Sequence, residues 1–253
     1  MQRAIDRALP ALTFLAILLF WELVCRGFEI PGFLLPAPSA IAVAAADFPL
    51  SQWWGHLWAT LQVTLLGFFI SILVSLPIAA ALTNFRFLSR TLLPILIVIQ
   101  STPIVAIAPI IVVTLGAGLM PRVVITCLIT LFPLVISTAT GLLATPAELI
   151  ELSRSLRASR AREYFQIRLP FAVPYIFSAL KVGITLSVIG AVIAEFVAAE
   201  RGLGYLILFS TSSFKVPQAF AALAVLVTAS LLLFRLVVIL QQRLFPWSLP
   251  KGG

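Results

Sequence analysis

Six predominantly apolar runs, near residues 8–25, 57–82, 88–115, 119–142, 171–199 and 218–241, dictate what this chain can become. Each comes close to or exceeds the about 20 residues a helix needs to cross a bilayer core of about 30 Å. With 61% hydrophobic residues, 10% charged residues and a mean hydropathy of +1.14, 253 residues cannot hide this much apolar surface from water. The solvent must be largely lipid. In lipid only helices and closed barrels satisfy their backbone groups, and these runs lack the alternation of barrel strands. The expectation is an all-α polytopic membrane protein of six transmembrane helices forming one domain over residues 1–253. The first run begins like a signal peptide, but no small-residue cleavage site follows, so it is predicted to be retained as the first span.

The net charge of +8 does not point to nucleic acid, because the cations are scattered along apolar runs and form no basic domain. They do orient the bundle. With both termini in the cytoplasm, the inside collects Arg3, Arg7, Arg86, Arg90, Arg154, Arg157, Arg160, Arg162, Arg168, Arg243 and Lys251, and the outside Arg26, Arg122, Arg201 and Lys215. This asymmetry follows the positive-inside rule. Trp53, Trp54 and Trp58 then mark the outer end of the second span as an interfacial belt, with the lone histidine, His56, among them. Cys25 and Cys127 lie in separate apolar segments and read as packing residues.

Residues 143–170 form the longest loop on the inner side, and 151–170 alone hold five of the chain's seventeen cations. The loop is expected to be folded. Thr145-Pro146-Ala147-Glu148 reads as a capping box that starts a helix running to about Leu156. Ser159 is placed to cap a second short helix reaching Leu169-Pro170. Leu149, Leu152 and Leu156, spaced by three and four, make an apolar stripe on the first helix. Such a pair can dock a soluble partner, although charge alone favours contact with anionic headgroups.

In its residue order the loop resembles that of the permease subunits of bacterial ABC importers, which carry E-A-A, a glycine four residues later, and I-x-L-P. Glu151-Leu152-Ser153, Arg157 and Ile167-Arg168-Leu169-Pro170 stand in those places. Leu-Ser replaces Ala-Ala, and Arg157 occupies the glycine position, where a left-handed turn carries a steric cost for any other residue. The adjoining "RSLRAS", which supplies Ser155, Leu156, Ala158 and Ser159, and "RLPFAVPYIFSALK" and "AEFVAAERGLGYLI" are similar to the nitrate/sulfonate/taurine branch, which includes vitamin-precursor permeases. The resemblance spans residues 36–248. It implies a type I importer permease of the bacterial inner membrane, working as a homodimer. Glu151 to Ser153 and Ser155 to Ser159 would meet a cytoplasmic ATPase dimer that binds ATP and Mg, and an extracytoplasmic binding protein would deliver the solute. The chain itself contains no G-x-x-x-x-G-K-[ST], the loop that cradles nucleotide phosphates.

Two features bear on the solute's path. Ala179, Gly183, Ser187 and Ala191 recur at every fourth residue, which lets helices approach closely, and Glu195 comes next on the same face. A carboxylate there either faces protein or a watery cavity or snorkels to the nearby outer edge. Glu22 and Arg235 read as snorkelling, and Lys181 as structural. In the third span, "QSTPIVAIAP" places Pro103 and Pro109, which break helices, beside the polar Gln100, Ser101 and Thr102. Anion-transporting members of the resembled branch have an arginine at the position of Gln100. Its absence here favours a neutral nitrogen heterocycle, such as a thiamine pyrimidine precursor or a flavin, over a sulfonate, taurine or nitrate. A self-sufficient ion-coupled carrier would instead show paired broken helices and midplane charges, and an intramembrane enzyme a nucleophile–base or metal cluster; neither pattern is present.

Overall fold

The computed structural model describes residues 2–249, with the side chains of 2–8 and Arg86 left aside; Lys251 lies outside the described residues, as do the side chains of Arg3, Arg7 and Arg86. Every regular element among the described residues is helical. In chain order they are α1 (Gln2–Gly27), α2 (Pro38–Asp47), α3 (Leu50–Asn84), α4 (Arg86–Ser101), α5 (Ile104–Leu115), α6 (Leu119–Leu143), α7 (Ala147–Ser155), α8 (Arg160–Glu163), a π turn (Tyr164–Arg168), α9 (Leu169–Ala198), α10 (Leu203–Ser212) and α11 (Val216–Leu244). Five helical stretches are long and apolar enough to cross a membrane, and the pair α4 and α5 makes a sixth span if its two limbs are one crossing. Leucines, valines and phenylalanines stand exposed along these helices, as a lipid solvent requires.

The third span departs from a single interrupted helix: α4 and α5 meet at 96°. Pro103 forces the residue before it out of the helical region, and Thr102 is extended at φ −81°, ψ 128°. Pro109 does not break the chain as expected. It sits inside α5, as Pro77, Pro133 and Pro174 sit inside α3, α6 and α9, because neighbouring helices in a bundle compensate for the missing donor. The short helices α2 and α10 were not anticipated by the hydropathy pattern, being too short to register as spans.

The chain divides into two compact units, one of Met1–Ala59 with Arg201–Val227, the other of Thr60–Glu200 with Thr228–Gly253. In the first, Glu22 and Arg26 of α1 pair and both engage Ser39 of α2: the Ser39 N–H donates to Glu22 at 2.9 Å and its hydroxyl at 2.7 Å. Glu22 thus ties two helices together instead of snorkelling. His56 brings its Nδ1 to 3.0 Å from the Gly202 carbonyl and 3.2 Å from the Gly202 amide, and its ring stacks on Tyr205. Trp53 donates to the Ala45 carbonyl at 3.0 Å, while Trp54 and Trp58 stack on each other and stay exposed.

The second unit is built on α6 against α9, which touch along their length because small residues line the seam. Ala179, Gly183, Ser187, Ala191 and Glu195 are all buried. The Ser187 and Thr130 hydroxyls lie 3.1 Å apart across it. Thr126 is held between two glycines: a Cβ on Gly67 of α3 would collide with its side chain, and one on Gly190 of α9 would lie 2.9 Å from its Cα. Phe68, Val173, Phe177, Ile184 and Val237 form an apolar cluster beside this seam, and Ala108, Ile125 and Ala194 join α5 to α6 and α9.

Candidate functional site

The loop between α6 and α9 is folded, but it starts differently from a capping box. Pro146, at φ −54° and ψ 135°, takes the N-cap position, and the buried Thr145 hydroxyl turns back to the Leu142 carbonyl at 3.5 Å. Proline pre-sets its φ and brings no N–H of its own, and α7 starts without a side-chain cap, the Leu149 amide donating to the Pro146 carbonyl at 3.2 Å. Helix α7 ends at Ser155 in a Schellman motif: the Ala158 amide bonds the Ser153 carbonyl and the Arg157 amide that of Arg154, both at 2.9 Å. Arg157 closes it at φ +54°, so arginine adopts the left-handed conformation that the glycine of the resembled motif would take without cost.

Ser159 does cap α8, accepting from the Arg162 amide at 3.3 Å. The second rod does not stop at Leu169-Pro170. It passes through the π turn, where the Leu169 amide reaches back to the Tyr164 carbonyl, and continues as α9. Pro170 explains the detour, since its ring would clash with the carbonyl four residues earlier in a tight α-helical turn and the wider turn relieves that.

Of the loop residues singled out by sequence, Glu151, Ser155, Arg157 and Ser159 are exposed, and Ala158 is half-buried. Leu152 and Leu156 are 55% and 74% exposed, whereas Ser153 is 5% exposed. Leu149, Leu152 and Leu156 border an open groove of about 370 Å³ that Arg162 and Ile167 line from the other side. Apolar side chains thus stand uncovered among the arginines of the loop.

The α4–α5 bend exposes Gln100 and Ser101 and half-buries Thr102. Ser101 and Thr102 donate their hydroxyls to Ile97 and Val98, each at 2.8 Å, leaving oxygen lone pairs outward. Glu195 is 1% exposed, in the second unit, so it is held in protein and does not snorkel. The loop and the bend lie in the same unit as Glu195. Sequence reasoning missed the ion pairs of Glu163 with Arg168 and Arg154, because a five-residue spacing does not face across an α-helix and Arg154 lies on a separate helix.

Residues 71–247 match the family described as the inner membrane component of binding-protein-dependent transport systems. The chain belongs to that family. It is a multi-pass permease subunit of an ABC importer in the inner membrane, and a separate ATPase hydrolyses ATP for it. The riboflavin transport system permease RibX of Chloroflexus aurantiacus is 35% identical over 93% of this permease and 88% of the relative. The formylaminopyrimidine transport permease ThiX of Halalkalibacterium halodurans is 30% identical over 98% of each chain. The nitrate import permease NrtB of Synechocystis sp. is 26% identical over 94% of this permease and 89% of the relative. For the fold, an inward-facing structure of the MetNI methionine ABC transporter superposes with a TM-score of 0.66 at 22% identity, covering 80% of this permease and all of that chain.

Proposed function

We propose that the permease carries a neutral nitrogen heterocycle, a thiamine pyrimidine precursor or a flavin, inward as one half of a homodimer with both termini in the cytoplasm. Helix α7 seats in a groove of the cytoplasmic ATPase, which binds ATP and Mg. An external binding protein delivers the solute. When the ATPases close on ATP, the two α7 helices are drawn together, and the bundle switches the side to which it opens. The observation that carries the docking is the uncovered Leu152 and Leu156 stripe beside the 370 Å³ groove. Two leucines so exposed in an arginine-rich loop gain about 1 kcal/mol or more each when a partner covers them.

The solute reading is supported by Gln100 at the bend, where the anion-carrying branch has arginine. Gln100, Ser101 and Thr102 offer hydrogen bonds without a counter-charge, which suits ring nitrogens and carbonyls better than an oxyanion. The greater identity to the riboflavin and formylaminopyrimidine permeases than to the nitrate permease points the same way.

Purification with the co-expressed ATPase tests the docking. The wild-type chain should retain it, and a Leu152→Asp/Leu156→Asp variant or Glu151→Arg should release it. Retention by the double variant sinks the docking reading. For the solute, the small molecule freed by denaturing the external binding protein should be a heterocycle; a sulfonate or nitrate in its place removes that half of the proposal.

A further inference from the structure

Glu163 stands where three pieces of the loop meet. Its side chain is 12% exposed, and Oε1 accepts from Arg168 Nη2 at 2.8 Å and Nε at 3.0 Å, while Arg154 Nε on α7 lies 3.5 Å from Oε2. The Arg168 side chain is itself only 17% exposed. Shielding and two charge-assisted donations onto one oxygen set this pair apart from exposed ion pairs of little consequence.

Residues five apart on an α-helix lie about 140° apart around its axis. Glu163 and Arg168 meet because the chain between them is wound as the π turn Tyr164–Arg168, whose wider circuit brings the fifth residue round. The pair and the turn therefore support each other: rewinding to α would swing Arg168 away. Beyond the turn, Pro170 and Pro174 lack N–H groups, so the first turns of α9 are short of backbone bonds. Side chains must help fix the direction in which α9 leaves the loop.

We propose that Glu163 is a positioning residue for transport: with Arg168 it locks the π turn at the foot of α9, and with Arg154 it ties that lock to α7. The proposal rests on the reading of α7 as the ATPase-facing rod. The chain ties α7 to α6 through Ala144–Pro146 and to α8 through Leu156–Ser159. The carboxylate adds a side-chain tie from α7 to the π turn, so a displacement of α7 reaches the foot of α9 through more than the Leu156–Ser159 link.

The coupling can be read as the stimulation of ATP hydrolysis when the external binding protein, purified with its native solute, is added to the permease–ATPase complex in liposomes. Basal hydrolysis and ATPase retention should stay at wild-type levels in Glu163→Gln, Arg168→Gln and Arg154→Gln. Stimulation should fall about tenfold in the first two, as loss of a charge-assisted hydrogen bond implies, and less in the third. Glu163→Asp, which keeps the charge, should restore part of it. Wild-type stimulation in Glu163→Gln overturns the proposal. Should Glu163→Gln fail to assemble, Arg154→Gln decides, because its side chain is 67% exposed and its loss leaves the locked turn intact; wild-type stimulation there also overturns it. Failure of the docking reading looks different, since the Leu152→Asp/Leu156→Asp variant would then keep the ATPase whatever the Glu163 variants do.

Discussion

Ser153 puts a hydroxyl where the resembled loop motif has alanine, and the residue is 5% exposed with no hydrogen-bond partner for its Oγ among the described residues. A buried, unsatisfied hydroxyl costs about 1–3 kcal/mol. Ser153→Ala should therefore stabilise the isolated permease by about 1 kcal/mol, read as a rise of about 2–4 °C in the thermal midpoint in detergent. Four residues on, Arg157 holds φ +54°. Arg157→Gly relieves the left-handed strain but adds backbone freedom to the unfolded chain, for a net gain of up to about 1 kcal/mol. A lower midpoint in Arg157→Gly would mean that arginine contributes contacts outweighing its strain.

Helices α6 and α9 show why small residues matter at the scale of elements. Lipid gives helices no hydrophobic reason to associate, so close van der Waals packing must hold them. Gly190 and Gly183 both face α6, yet they are not equivalent. A Cβ at 190 would meet the Thr126 backbone at 2.9 Å, which cannot move without shifting α6, whereas at 183 the nearest atom is a Leu134 methyl at 3.2 Å. Gly190→Ala should cost about 2 kcal/mol or more by overpacking, and Gly183→Ala less than about 1 kcal/mol. Comparing the unfolding midpoints of the two variants checks this ordering; equal losses would contradict the packing described.

For the whole molecule, Glu195 is the informative probe. Its carboxyl group, buried at the far end of the seam that begins at Ala179, belongs to the one Asp, Glu, Lys or Arg residue that is buried among the described residues. Intramembrane carboxylates are expensive and are retained where they serve transport. Glu195→Gln, which keeps the size and hydrogen-bonding capacity, should leave the ATPase retained and lower solute uptake by about tenfold, of the order expected for one charge-assisted contact. Unchanged uptake would reduce Glu195 to a structural group.

How much of this was legible beforehand depends on range. Hydropathy located each apolar run on helix, although α3 begins seven residues before the expected start and the third run is two helices, because the need to satisfy backbone in lipid is local and leaves one solution. The stripe from Ala179 to Glu195 was readable as a packing face for the same reason: four-residue spacing fixes a face whatever it meets. The loop's two helices were visible in Ser159 and in the leucine spacing. What escaped were features set by partners distant in the chain or by a local winding choice: the size of the bend at Pro103, which of its two readings Glu195 takes, the grip of Gly67 and Gly190 on Thr126, and the π turn that lets Glu163 reach Arg168. The sequence alone determined that this is a helical membrane bundle with a folded basic loop, since composition and period admit nothing else. Which side chains that loop and seam bring within bonding distance was decided only by tertiary packing, because contacts between helices depend on crossing and rotation that no one-dimensional pattern encodes.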